Sequence, residues 1–135
     1  MANIVYTNVS VVINSVDLSD HVVSVRVNES FEVVDATKMG DTARSRLQGL
    51  VDWSIDIEFR QDFAASKVDA TMAAFPAAGA TITVKPTTAA VSATNPSYAG
   101  TAILESYGTI SGTVGEDATV SARFVGSGAL TRATV

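Results

Sequence analysis

The sequence predicts a mainly β fold with one short α-helix, and three observations predict it. Over residues 50–62, Val51, Trp53, Ile55, Ile57 and Phe59 alternate with Asp52, Ser54, Asp56, Glu58 and Arg60. A period of two is the signature of a strand with one wet face and one buried face. Over residues 22–34, Val23, Val25, Val27, Phe31 and Val33 alternate with Ser24, Arg26, Asn28, Ser30 and Glu32, with Glu29 interrupting. Helical spacing is convincing only at residues 66–75, where Val68, Met72 and Phe75 stand at i, i+4 and i+7.

Each element follows from local chemistry. The apolar side of the 50–62 strand supplies on the order of 10 kcal/mol of gross burial, at about 1.5–3 kcal/mol per side chain. The break at Glu29 predicts a bulge, or the point where the 22–34 strand leaves the core as an exposed arm. Shorter segments at 9–13, 80–85, 100–107, 109–114 and 118–125 are dense in Val, Ile and Thr and read as strands. Gly115-Glu116-Asp117 is expected to join the last two as a hairpin. Ser66 and Asp69 resemble a capping box for the helix, and Pro76 ends it. Residues 87–97 are rich in Ala, Thr and Ser and close at Asn95-Pro96, a turn signal. Residues 35–49 show no periodicity, and a loop of about 15 residues in a small domain tends to be functional. They are expected to form an interaction arm.

Bulk composition narrows the function. A chain of 135 residues fits one domain, 1–135. Its 47% apolar and 17% charged content suits a folded protein. Cysteine is absent, which removes disulfides, thiolate metal sites and cysteine nucleophiles. A net charge of −5 opposes affinity for the nucleic-acid backbone. The start, Met1-Ala-Asn-Ile-Val-Tyr6, lacks the basic and apolar regions of a signal peptide, and no stretch reaches the roughly 18–20 apolar residues of a membrane helix. We therefore expect no membrane partner, and a protein that is made and kept in the cytosol or leaves it by another route. The sequons at Asn8 and Asn28 carry no meaning without secretion.

Catalytic readings are weak. His21 is the sole histidine, and its neighbour Asp20 points to the other side of a strand, which defeats a serine triad. Asp17, Asp20 and His21 match no metal-loop spacing and read as turn residues. Asp52, Asp56 and Glu58 suggest a glycosidase pair by spacing alone. Their open polar face lacks the apolar pocket that raises one carboxyl pKa. Gly126-Ser-Gly128 precedes no helix that would make it a phosphate cradle. Trp53 lies on the apolar side of its strand and reads as core. No cofactor, metal or catalytic residue is expected, and the chain is read as a non-enzymatic, self-assembling structural protein.

The order of elements carries a resemblance. A short strand and tight turn, Val9-Ser-Val-Val-Ile-Asn-Ser-Val-Asp-Leu-Ser-Asp20, leads into a long strand. Then come Asp35-Ala-Thr-Lys-Met-Gly-Asp41, the Trp53 strand, a helix, and Asn95-Pro-Ser-Tyr-Ala-Gly100 before the final strands. This resembles the major tail tube proteins of long, non-contractile-tailed bacteriophages across nearly the whole chain.

The resemblance implies a β-sandwich with a flanking helix, assembling into hexameric rings whose inner strands join a β-barrel around a DNA channel. The partners implied are other copies of the chain, the tape measure, tail terminator and baseplate or tip proteins, with viral DNA passing through unbound. The location implied is the virion tail, assembled in the host bacterial cytoplasm. Ser24, Arg26, Asn28, Asp52, Ser54, Asp56, Glu58 and Arg60 would line the channel. Thr37, Lys38, Met39, Asp41, Arg44 and Arg46 would reach a neighbouring subunit or ring. On the 50–62 strand three acids and one arginine leave −2, Arg26 and Glu32 cancel, and six copies carry −12.

Alternatives within the same fold are a tail terminator, a tube initiator or a type VI secretion ring. A carbohydrate-binding β-sandwich would need an exposed aromatic platform, for which Tyr98 and Tyr107 are the candidates.

Overall fold

A computed structural model describes residues 3–135. The strands are β1 (Ser10–Ile13), β2 (Val16–Asp17), β3 (Val22–Asp35), β4 (Arg46–Arg60), β5 (Ala80–Lys85), β6 (Ser97–Tyr107), β7 (Thr119–Gly126) and β8 (Thr131–Ala133), with helix α1 (Val68–Ala73) between β4 and β5. All pairings are antiparallel, in the order β2-β1-β5-β6-β7-β4-β3, with β8 also on β6. The fold is mainly β, as the alternation predicts.

The sheet closes over itself at β6. The first half of β6, Tyr98 to Ala102, pairs with β5, while its second half, Ala102 to Tyr107, pairs with β7. A strand shared in this way turns a corner, and a bulge at Glu105 helps it do so. Val11 and Ile13 of β1 and Ile82 of β5 thereby join Ile55, Ile57 and Phe59 of β4 and Phe124 of β7 in one buried cluster. Helix α1 adds Val68 and Met72, and the Phe75 ring meets Phe124 at 5.4 Å between centroids. Trp53 lies over Gly100 and Gly126, where a Cβ would stand 2.6 and 2.2 Å from its ring atoms, and its Nε1 donates to Gly128 O at 2.9 Å.

Several local expectations change. The arm expected over residues 35–49 is strand at both ends, because Val33, Val34 and Asp35 pair with Gln48, Leu47 and Arg46. The loop proper spans residues 36–45, at the end of a hairpin that outruns its neighbours. Bulges fall at Val23 and at Gly49–Leu50, not at Glu29, which pairs with Trp53. The extra residue turns Val23 outward and lets Val22 pack on the core in its place.

The expected hairpin of 109–114 with 118–125 does not form, since β7 takes β6 as its partner on that edge. Ile110 and Val114 are exposed and offer no buried face to hold a strand there. The turn at Gly115 exists, with a positive φ of 89°. Helix α1 is shorter than 66–75 and is capped by no side chain: Ser66 sits at φ 62°, and Asp69 accepts from the Tyr107 hydroxyl. Asn95 organises the 87–97 loop, with its Nδ2 donating to Ala89 O and Ala90 O and its Oδ1 accepting from Thr87 N.

Candidate functional site

The second half of the sheet, β6-β7-β4-β3, presents a continuous polar face. Strand pleating puts cross-strand partners on the same side, so register alone assembles it. Ser24 stands opposite Glu58, which stands opposite Ser121. Arg26, Asp56 and Arg123 form the next row, followed by Asn28, Ser54, Val125 and Ile103, while Ser30 faces Asp52. The sequence-predicted residues Ser24, Arg26, Asn28, Asp52, Ser54, Asp56 and Glu58 are thus brought together. Arg60 lies at the end of the same face and pairs with Asp117.

Two residues of this face are not among those the sequence points to. Arg123 of β7 makes a two-pronged bond to Asp56, from Nη1 to Oδ1 at 2.9 Å and to Oδ2 at 3.0 Å, and its Nε donates to Glu105 at 3.0 Å. Asp56, followed by Glu105, holds the guanidinium more firmly in its charged form. The polar places of β7, Ser121 and Arg123, were there to signal Arg123. Glu105 gave no such signal, because the bulge alone turns it to this side.

Glu32 follows Ser30 on the face, since the extra residue is in β4 and not in β3. The bulge in β4 sets its carboxylate against Gly49, whose added Cβ would meet Glu32 Oε2 at 3.0 Å. The face therefore carries five acids (Glu32, Asp52, Asp56, Glu58, Glu105) against three arginines (Arg26, Arg60, Arg123), a net of −2.

Beyond Trp53 the hairpin stands on its own two strands, since β7 leaves β4 at Ser54. Phe31, Val34, Leu47, Leu50 and Val51 are exposed there, Leu50 at 81% and Met39 at the tip at 99%. Bare apolar side chains on a free edge strand mark an interaction surface. The tip itself is ordered. Thr37 Oγ1 accepts from Ser45 N at 2.9 Å, Asp41 accepts from Lys38 N at 2.9 Å, and Arg44 pairs with Asp35 at 3.0 Å. Hydrogen bonds from the Thr37 side chain and backbone, with Arg44, hold the Asp35 carboxyl below its ordinary pKa. Arg46 belongs to β4, opposite Asp35.

The residues considered for catalysis are engaged elsewhere. His21 bridges two carboxylates, Asp20 at 2.7 Å and Asp62 at 2.9 Å, and so ties the entry of β3 to the exit of β4. Among the described residues no cluster of three or more metal-ligating side chains occurs. Tyr107 is half-buried, receives a bond from Gln61 and donates to Asp69, and Tyr98 is half-buried too, so neither forms an exposed platform.

No family model matches the sequence, and no curated protein matches it. Solved structures do match. A chain from the virion of a native gene transfer agent superposes with a TM-score of 0.70 at 15% identity, covering 93% of this chain and 95% of that one. A chain from the sheath–tube complex of an extracellular contractile injection system, PVC, in the extended state gives 0.72 at 12% identity, over 97% and 90%. A chain from the tail of an empty gene transfer agent particle, refined with C6 symmetry, gives 0.66 at 18% identity, over 82% and 81%. The chain has a phage-like tail tube fold. At 12–18% identity the likeness is one of fold. That fold is shared with a contractile injection system, so it does not single out the non-contractile tails of the sequence resemblance.

Proposed function

We propose that this chain is the repeating subunit of a tail tube, stacking as homo-hexameric rings in the tail of a virion or phage-like particle. The observation that carries the reading is the β6-β7-β4-β3 ribbon, polar on one face, apolar on the other, and bounded by unpaired edges. A ribbon of this kind is completed by further copies of itself, which removes the edges that otherwise invite aggregation. Four strands from each of six copies make 24, the number six taken from the C6 symmetry of a matched tail. At about 4.8 Å between strands and a tilt of about 40°, the barrel measures roughly 48 Å between opposite backbones, wide enough for a DNA duplex.

In this arrangement the polar face looks inward and carries −12 per ring, from −2 in each of six chains. The 36–45 tip reaches the next ring. The tape measure, terminator and baseplate proteins contact the tube's interior and ends, and assembly takes place in the host cytoplasm. The match to a contractile injection system favours one sister reading, the ring subunit of a contractile or secretion tube.

Negative-stain electron microscopy of the purified protein tests both. Long tubes with sixfold end views are expected of a tube subunit, and isolated rings of a terminator or secretion ring. A protein that stays monomeric at high concentration overturns the proposal.

A further inference from the structure

We propose that the seam between neighbouring subunits pairs the outer edge of β3 in one copy with the free edge of the second half of β6 in the next, with Arg26 facing the neighbour's Glu105. The seam rests on the tube reading above and names the strands and side chains that close the ring. Among the described residues, β3 pairs only with β4 and so has one open edge along its whole length. Strand β5 covers β6 only as far as Ala102, leaving residues 103–107 open on the edge away from β7. These are the two ends of the polar ribbon.

Direction and charge both fit. Each step along β6-β7-β4-β3 is antiparallel, so β6 runs with β4 and against β3, and a neighbour's β6 placed beside β3 continues the antiparallel order. Along one row the charges read Arg26, Asp56, Arg123, Glu105, alternating in sign. The row begins with a cation and ends with an anion at the two open edges. Among the described residues Arg26, which is exposed, has no ion pair within its own chain, so the neighbour's Glu105 extends the alternation across the seam. Six copies turn the row into a closed ring in which no two like charges are neighbours. A closure by like edges, β3 against β3, would make a dimer with no ring, and centred at Arg26 it would set Arg26 against Arg26. Opposite charges facing across strands stabilise and like charges oppose, so the row selects head-to-tail closure.

If Arg26 faces Glu105, Asn28 lies opposite Ile103 on the same face. Within one chain these two are three strand spacings apart, about 14 Å, beyond the roughly 7 Å reach of a disulfide. The chain has no cysteine of its own, so Asn28→Cys/Ile103→Cys reports only contacts between copies. Mild oxidation of the assembled double variant is expected to give a covalent ladder ending at the closed ring, and neither single variant gives it. The shifted pair Ser30→Cys/Ile103→Cys is expected to cross-link at least tenfold less. Arg26→Gln is expected to raise several-fold the concentration at which rings form. Rings seen by microscopy without the Asn28–Ile103 link overturn the seam and leave the tube reading standing. Stronger linkage of the shifted pair overturns the Arg26–Glu105 register. A wild-type chain that forms no rings overturns seam and tube together.

Discussion

Trp53 shows how one side chain dictates its neighbours. Its indole lies where the Cβ atoms of Gly100 and Gly126 would be, and its N–H finds the Gly128 carbonyl. Gly126→Ala forces the ring to move within a packed core and is expected to cost about 1–3 kcal/mol. Gly108→Ala, whose new methyl would meet nothing closer than 3.8 Å, is expected to stay within about 0.5 kcal/mol of wild type. Urea unfolding followed by tryptophan fluorescence separates the two. His21 invites a pH test. Burial opposes its charge, yet the Asp62 and Asp20 carboxylates outweigh burial and raise its pKa. The Asp62 carboxyl is lowered, first by the Ala64 N–H and then by His21. The clamp is therefore complete between roughly pH 4 and 6.5, the ordinary values of the two groups. It fades as pH rises through the raised His21 value, and again as pH falls through the lowered Asp62 value. His21→Gln is expected to lower Tm more at pH 5.5 than at pH 8.5, and an equal deficit at both would refute the clamp.

At the scale of the element, the β3–β4 hairpin is the unusual object. Two bulges bend it, each by one extra residue, and each redistributes side chains between its faces. Val23 is thereby moved off the side that strict alternation assigns it. The hydrogen bonds and ion pairs of the tip run among residues 35–46 alone. Replacing residues 37–44 by Asn-Gly removes no contact with the core and shortens a loop, whose closure entropy changes only slowly with length. Its denaturation midpoint is expected to shift by less than about 1 kcal/mol in equivalent stability. The same variant is expected to form rings that no longer stack, seen as short or single-ring particles by electron microscopy. Tubes of normal length would show that the tip does not join rings.

For the whole molecule, charge on the polar face has a consequence if that face lines the tube as proposed. Duplex DNA carries one negative charge per about 1.7 Å of its axis, and screening within about 8–10 Å leaves only contact-range effects. A mildly acidic wall laced with internally paired arginines gives DNA few free cations to hold. Asp52 and Glu58 stand outside the Arg123 ladder, whereas Asp56 anchors it. Asp52→Lys/Glu58→Lys is therefore the informative reversal, since it spares the ladder and shifts the face by +4 per chain, to +2 from −2. Assembled tubes of this variant are expected to retain DNA at low salt and to slow genome delivery. Unchanged delivery would sink the idea that the acidic lining prevents adhesion.

Residue chemistry by itself determined the core of β4, because a pleated backbone forces alternate side chains to opposite faces and Val51 to Arg60 obey that period without a break. It also placed Trp53 in the core and the short helix with its Val68, Met72 and Phe75 stripe, since those spacings are properties of a single segment. Tertiary structure alone decided the rest. Whether β7 pairs with residues 109–114 or with β6 depends on which partner brings a buried face, and β6 does. Whether residue 23 or 22 faces inward depends on a bulge whose cost is repaid by distant packing. Arg123 meets Asp56 and Glu105 only because three strands far apart in sequence are laid side by side. The polar strand legible in the sequence became one row of a charged, open-ended ribbon only when the fold supplied its neighbours.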